Sequence, residues 1–345
     1  MIPHSRPSLG PEEESAACRV IRSGHLAQGQ EVAALESELS NVLGVAHVVA
    51  VSSGSAALHL ALLALGVGHG DAIAMPTYVC AALLNAAHHV GARPVLADTH
   101  PETCNIAPDD LSRRLTPSVR AVMVPHMFGC AADLPALMAF GIPVVEDCAM
   151  ALGAEQNGQK LGSIGRISTF SFYATKVLCA GEGGAAATAD PDLADRLRDL
   201  RDYDGRHDGR PRFNYKLTDL QAAVARTQLR KLEAFVARRR QLGIQYAREL
   251  ASTGTGLPCF ASGDYPFRYV VRHNKDAAGL IPRFEQAGVA ARQPVFYPLH
   301  RCLGLADGDF PNATRVFQEA LSLPLYPSLS DDEVHAILQT AREIL

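Results

Sequence analysis

No two cysteines in this chain stand at the spacing that metal sites and redox pairs use. The eight cysteines (residues 18, 80, 104, 130, 148, 179, 259 and 302) are scattered over 345 residues without a C-x-x-C. That excludes a zinc ribbon and, at this length, a disulfide framework. Thirteen histidines include His88-His89 but no H-E-x-x-H, so no metal ligand set is expected. No G-x-G-x-x-G follows the first candidate strand, which sets aside a dinucleotide oxidoreductase. Neither sign of charge is in large excess: the net charge is −4 and the pI about 6.3. A nucleic-acid partner and an anionic membrane surface are therefore not expected. Long apolar runs are missing as well. The longest apolar helix candidate, Ala56 to Leu65, is too short to span a bilayer. The start of the chain, with Pro11-Glu12-Glu13-Glu14, carries no signal-peptide core. Together these absences predict a soluble, cytoplasmic protein.

What is present is an ordinary globular composition, 48% hydrophobic and 20% charged, enough for one large domain and a smaller one. From about residue 47 to 190, short β-type runs alternate with helical patterns. The runs are His47–Ser53, Ala72–Pro76, Pro94–Asp98, Ala121–His126, Pro143–Asp147, Ile167–Phe172 and Ala185–Ala189. Helical patterns cover Ser55–Leu65, Ala81–His89, Pro108–Leu115 and Asp133–Phe140. Such alternation predicts an α/β sheet with helices on both faces. A long helical stretch follows from Leu217 to Leu250, with a basic face (Arg226, Arg230, Lys231, Arg238–Arg240) of the kind that is usually solvated. Beyond it a smaller α+β part is expected, with strands at Tyr269–His273 and Val289–Arg292. Its helices are expected at Asp276–Ala287, Ala313–Leu321 and Asp331–Leu345.

Three segments carry candidate chemistry. In His47 to Leu58 a strand runs through Ser53-Gly54-Ser55 into an apolar helix. The first turn of that helix offers backbone N–H groups to a phosphate, with Gly54 permitting close approach and Ser55 a hydroxyl. Capping of the helix by Ser53 or Ser55 explains the same residues. In Pro143 to Cys148, Asp147 ends an apolar run, where the ligand crevices of α/β sheets lie. It suits a pyridine nitrogen, and it equally suits a helix N-cap. In Phe170-Ser171-Phe172-Tyr173-Ala174-Thr175-Lys176, Ser171 is a second phosphate donor. Lys176, followed by Gly181-Glu182-Gly183-Gly184, is placed to hold an aldehyde as a Schiff base. Glu182 reads as a turn residue.

These segments, in this order, resemble the DegT/DnrJ/EryC1/StrS family of pyridoxal-phosphate (PLP) dependent aminotransferases. So do Gly24 to Gly29, Arg212 to Ala223, Phe296 to His300, Gly308 to Pro311 and Leu321 to Pro327, which together cover almost the whole chain. The resemblance implies the aspartate-aminotransferase fold (PLP fold type I). A large domain over residues 1–235 would hold a mixed, mostly parallel sheet, and a smaller α+β domain would span 236–345. It also implies a homodimer with shared active sites, and transfer of an amino group, commonly from glutamate, to a keto group of a nucleotide-linked sugar or cyclitol. By position, Lys176 would bind PLP and shuttle the proton, and Asp147 would pair with the pyridine nitrogen. Gly54, Ser55 and Ser171 would hold the phosphate together with Asn214 from the partner chain. Tyr297 and His300 would face substrate. Two positions depart from the family pattern. Met150 replaces a Gln or His near the phenolic oxygen and cannot donate that hydrogen bond. Cys80 stands where an aromatic ring stacks on the pyridine, with Tyr78 the candidate to move in. A tolerated variant is the preferred reading, since sulfur packs well against rings. Altered chemistry (elimination or dehydration) and a non-catalytic regulatory member are the alternatives. Lys176 argues against the dehydratases, whose relatives carry histidine there, and against a silent site. The basic cluster of Arg206, His207, Arg210 and Arg212 reads as solvated surface, with a sugar nucleotide's phosphates as the alternative occupant.

Overall fold

Seven of the apolar runs become strands of one sheet: β1 (His47–Val51), β2 (Ala72–Pro76), β3 (Arg93–Ala97), β4 (Val119–Pro125), β5 (Val144–Asp147), β6 (Ile167–Ser171) and β7 (Gly184–Thr188). The computed structural model describes every residue except Cys259, Asn274 and Lys275, so one of the eight cysteines, Cys259, lies outside the described residues. In space the strands follow the order β1-β7-β6-β5-β4-β2-β3. Strands β3, β2, β4, β5 and β6 are parallel, while β7 is antiparallel to both of its neighbours, β6 and β1. The direction reverses twice between β6 and β1, so β1 points with the parallel set. The C-terminal ends of every strand but β7 therefore meet along one sheet edge.

Helix Gly54–Ala64, which follows β1, has no charged residue and is buried at Ala56–Leu62 and Ala64. It packs on β6 and β7, where the small side chain of Ala186 shares a cluster with Leu58 and Leu60. Full burial of each such leucine contributes about 1.5–3 kcal/mol. His59 is the buried polar exception on this helix. Its Nδ1 lies 3.1 Å from the Tyr215 hydroxyl, and its ring meets the edges of Phe213 at 4.8 Å and His89 at 5.3 Å. Burial, with help from His89, pulls its pKa from 6.5 down to about 4. The unfolded chain thus takes up this proton first as the pH falls. Stability is complete above about 6.5 and is lost progressively towards about 4. We expect His59→Phe to flatten the Tm–pH curve in that window. Some slope remains because burial pulls His4 down too, to about 3. Identical slopes in the two proteins would show that His59 is not the group responsible.

The N-terminal helices Pro11–Ser23 and Gln30–Leu43 pack against helix Asp219–Arg230. Here the expectation of a solvated basic face needs correction. Lys231 pairs with Glu12 and Glu13, Arg226 pairs with Glu31 and Glu38, and Arg239 is buried. These cations tie the N-terminal helices down and anchor a core turn. The helical stretch is also two helices, Asp219–Arg230 and Leu232–Leu250, meeting at Lys231. The boundary expected after residue 235 falls inside the second.

In the C-terminal part, strand Tyr269–Arg272 pairs antiparallel with Ala320–Leu323. The expected strand at Val289–Arg292 is reduced to single bridges, Val289 to Ile2 and Arg292 to Ser322. Helix Pro311–Glu319 stops before the expected end at Leu321, because Ala320–Leu323 is wholly buried and extends into the sheet. Leu242, Tyr246, Tyr269, Phe284, Leu321 and Ile337 form part of a third apolar cluster there. Among the described residues no helix is long and apolar enough to cross a membrane.

Candidate active site

The sheet edge that collects the strand ends carries the predicted residues. After β1 come Ser53 to Ser55, after β2 Thr77 to Cys80, at the end of β5 Asp147, and after β6 Ser171 to Lys176. The start of the reversed strand β7, Gly184, joins them.

Ser53 caps the helix, accepting the Ala56 N–H at 3.0 Å. That capping was one of the two readings open for this turn, and it leaves the other intact. The N–H groups of Gly54 and Ser55 have no acceptor among the described residues, and Ser55 is exposed. A Cβ on Gly54 would come within 2.8 Å of the Ser171 Cβ, and one on Gly184 within 2.7 Å of the Gly54 nitrogen. Glycine at both positions therefore lets three backbones converge. The Ser171 hydroxyl stands beside two free N–H groups at a helix start, where partial positive charge gathers.

Lys176 lies past the end of β6, in the loop between β6 and β7. Backbone bonds from Phe172 to Gly183, Ala174 to Gly181 and Ala180 to Phe172 close that loop, and Lys176 itself donates to Tyr173. Its amine makes no hydrogen bond to the described residues and sits 5.4 Å from the centre of the Phe267 ring. Burial lowers its pKa, with Arg268 adding to the effect, against the pull of Asp147 and Cys80. Phe267 and Arg268 were not anticipated as site residues. They sit in an alternating run entering a C-terminal strand, and nothing in their spacing marks them.

Asp147 and Glu146 are adjacent buried carboxylates with opposite behaviour. Glu146 accepts N–H groups from Gly162 at 2.8 Å, Ile164 at 2.9 Å and Gly165 at 2.6 Å, and meets His126 Nε2 at 3.2 Å. Burial opposes its ionisation, yet the His126 bond and the turn N–H groups outweigh it and hold the carboxyl below its usual range. Because His126 Nδ1 accepts from Ala132, its Nε2 carries the proton. His126, Glu146 and Cys148 have ligand atoms within 4.8 Å of one another. The hydrogen bonds account for His126 and Glu146 as a brace between the Gly162–Gly165 turn and the sheet. Asp147 receives one N–H, from Ala149 at 3.0 Å. Burial pushes its carboxyl up, against the pull of Ala149, Lys176 and His126. It is a carboxylate short of partners, facing a buried amine.

Cys80 is exposed in the cleft and close enough to Asp147 and Lys176 to interact with both electrostatically. Tyr78 does not move in beside it. The Tyr78 ring is fully buried in the core, edge-on to Phe128 at 6.5 Å. Met150 is half-buried and packs against both large apolar clusters, as a gap-filling thioether does. His300 also needs correction as a substrate-facing residue. It is fully buried, with Nδ1 2.8 Å from Thr77 Oγ1, Nε2 3.1 Å from Asp307, and its ring stacked on Phe310 at 4.9 Å. Both nitrogens are engaged, so His300 pins the segment after Pro298 to the end of β2. Tyr297, 52% exposed, remains open to a ligand, and its neighbour Phe296 is 83% exposed.

Asn214 is exposed and has no partner among the described residues. The basic cluster nearby is largely neutralised: Arg212 pairs with Asp199 and Asp208, Arg206 with Asp199, and Arg210 with Asp208. Gly24 to Gly29 docks on buried Asp219, which accepts the Gly29 and Val32 N–H groups at 2.8 and 3.0 Å.

The chain matches the DegT/DnrJ/EryC1/StrS aminotransferase family over residues 7–342. It is 35% identical to a dTDP-3-amino-3,4,6-trideoxy-alpha-D-glucose transaminase from Micromonospora megalomicea subsp. nigra, covering 96% of this chain and 94% of that one. Among solved structures, the aminotransferase TlmJ from Streptoalloteichus hindustanus superposes with a TM-score of 0.93 at 32% identity, covering 99% of this chain and 98% of that one. The putative sugar aminotransferase Spr1654 from Streptococcus pneumoniae, in its PLP-form, gives 0.93 at 26% identity, covering 99% of this chain and 98% of that one. The chain belongs to the DegT/DnrJ/EryC1/StrS aminotransferase family.

Proposed function

We propose that this aminotransferase uses pyridoxal phosphate to move an amino group from L-glutamate to a keto group on a nucleotide-linked sugar or cyclitol in a biosynthetic pathway. The observation that carries the reading is the convergence of three features on one sheet edge. These are a buried amine without a hydrogen-bond partner, a buried carboxylate with one, and a cradle of free N–H groups between Gly54 and Ser171. These groups fit the cofactor: the cradle suits its phosphate, Asp147 its ring nitrogen and Lys176 its aldehyde. The transaminase and putative sugar aminotransferase among the relatives support the sugar substrate.

When bound, the cofactor supplies an electron-withdrawing ring that stabilises negative charge on a neighbouring carbon. The protein's own residues do the rest. Burial keeps the Lys176 amine poised to lose its proton, so that once free it can take a proton from one carbon and return it to another. Asp147, with no cation of its own beyond Lys176, is a ready partner for a protonated ring nitrogen. Gly54, Ser55 and Ser171 fix the phosphate end, and exposed Asn214 is the group that would complete it from a second subunit of a homodimer. Cys80 and Met150 present sulfur where polar or aromatic contacts are usual in the family, and sulfur packs against a ring without donating to it.

The test is an absorbance spectrum of the purified protein with PLP, before and after L-glutamate. A near-visible band that converts to a shorter-wavelength band on adding glutamate is expected. A protein that forms no near-visible band with PLP would sink the reading.

A further inference from the structure

Beside the lysine loop lies a cavity of about 40 Å³ lined by His4, Ser5, Thr175, Arg239, Phe267 and Arg268, with leucines closing it. Among the described residues no aspartate or glutamate lines it. Its chemistry is unusual for so small a space, because two guanidinium groups share it without a counter-charge. Arg239 is 3% exposed. It spends one nitrogen on the carbonyls of Pro266, Phe267 and Leu325, while its Nε finds no acceptor among the described residues. Arg268 forms neither a hydrogen bond nor an ion pair among the described residues; its guanidinium carbon lies 5.9 Å from the centre of the Phe267 ring. The ionisable neighbours that favour its charge are Tyr78 and Cys80. Loss of bulk water, in the core for Tyr78 and at the cleft wall for Cys80, raises the pKa of both, so both are neutral near pH 7. His4, held 2.9 Å from Ser322 Oγ, is neutral there too.

A buried charge is ordinarily paired or strongly hydrogen-bonded. Arg268 is half-buried, and an unpaired guanidinium beside a reactive amine, partly stripped of water, favours an arriving anion. Lys176 Nζ and Arg268 share the Phe267 ring, at 5.4 and 5.9 Å from its centre. An anion held by Arg268 therefore stands within a small molecule's length of the reactive nitrogen. The cavity shares no lining residue with the Gly54–Ser171 cradle, so the cofactor's phosphate does not claim it. Its volume suits one small anionic group, and the planar fork of arginine matches a carboxylate bidentately.

We propose that Arg268, backed by Arg239, is the carboxylate anchor that selects a dicarboxylic amino donor. The anchor rests on the aminotransferase reading above, for it takes the side-chain carboxylate of L-glutamate while the amino group meets the reacting centre near Lys176. Arg268 is then a specificity-determining residue of the first half-reaction. Monocarboxylic donors such as L-alanine leave it unpaired.

The experiment uses the PLP-loaded protein and its Arg268→Leu and Arg268→Lys variants. Succinate, a dicarboxylate that cannot donate an amino group, is titrated by calorimetry. L-Glutamate and L-alanine are titrated by conversion of the near-visible band. Arg268→Leu is expected to weaken succinate, and to raise the glutamate needed for half-conversion, by about 10- to 100-fold, the cost of losing a charged hydrogen-bond pair. Its response to alanine is expected to stay the same. Arg268→Lys, which keeps the charge without the fork, should fall between the two, and it carries the test alone if the leucine variant loses its PLP band. Equal succinate affinity in all three proteins, with band conversion intact, overturns the anchor and leaves the aminotransferase reading standing. A variant that loses affinity for dTDP but not for succinate also overturns it, because the anion would then belong to the acceptor. A wild-type band that glutamate never converts overturns the anchor's donor and the proposed reaction together.

Discussion

Lys176→Ala is expected to yield a folded protein with no near-visible band on adding PLP and no amino transfer above background. Proton transfer by a positioned amine accounts for about 10²- to 10⁴-fold in rate, and the covalent hold on the cofactor is lost with it. The effect on folding has the opposite sign. The wild-type amine is buried without a hydrogen-bond partner, so removing it relieves a desolvation cost. The Tm of the cofactor-free variant should therefore equal or exceed that of the wild type. An unfolded variant would place Lys176 among the structural residues, and a variant that keeps its band would remove it from the chemistry.

Asp147→Asn should produce the second largest loss, on the order of 10²-fold or more in amino transfer, the scale of removing one preorganised electrostatic contact. The amide oxygen can still accept the Ala149 N–H, so the turn after β5 is preserved. What disappears is the negative charge. In the free protein burial disfavours that charge, so the substitution costs little stability. In the loaded protein the cost appears as a faster loss of PLP and a shifted pH response of the absorbance band. Unchanged turnover with an unchanged band would show that Asp147 faces no cation during the reaction. Glu146→Gln, one residue away, should do the reverse and lower Tm. Its carboxylate is held by three turn N–H groups and His126, and an amide nitrogen would meet donors on one side.

The sheet was legible because each of its strands is a short apolar run bounded by turn residues. The runs at 72–76 and 143–147 coincide with strands to within a residue. The lysine, the aspartate and the glycine–serine turn were legible as types at chain positions, and the family resemblance ordered them. Side-chain direction was not legible. His300 sits in a segment that resembles substrate-facing family sequence, yet Thr77 and Asp307 draw both of its nitrogens into the core. Tyr78 and Cys80 are two residues apart, and which of them faces the cleft depends on how the turn after β2 packs against Phe128. Ala320–Leu323 continues a helical pattern, and pairing with Tyr269–Arg272 overrides that local preference. Helix Pro11–Ser23 does carry a legible start signal, in Pro11 at its first turn and the three glutamates after it. Arg268 left no trace in the sequence at all. An unpaired cation is a property of what surrounds it.

On the ribosome, β1 leaves the exit tunnel long before its sheet neighbour β7 has been made. The pairing of Val51 with Gly184 is a long-range contact, and closing a loop of that size carries an entropic cost before the contact repays it. Until then the start of helix Gly54–Ala64 has neither Ser171 nor Gly184 beside it. A nascent chain can fold its middle strands early, but it has no place to put a phosphate. The cradle is among the last parts of the large sheet to be assembled. Free cofactor in the cell would therefore act on nearly finished molecules, and by binding them would draw the closing step of folding to completion.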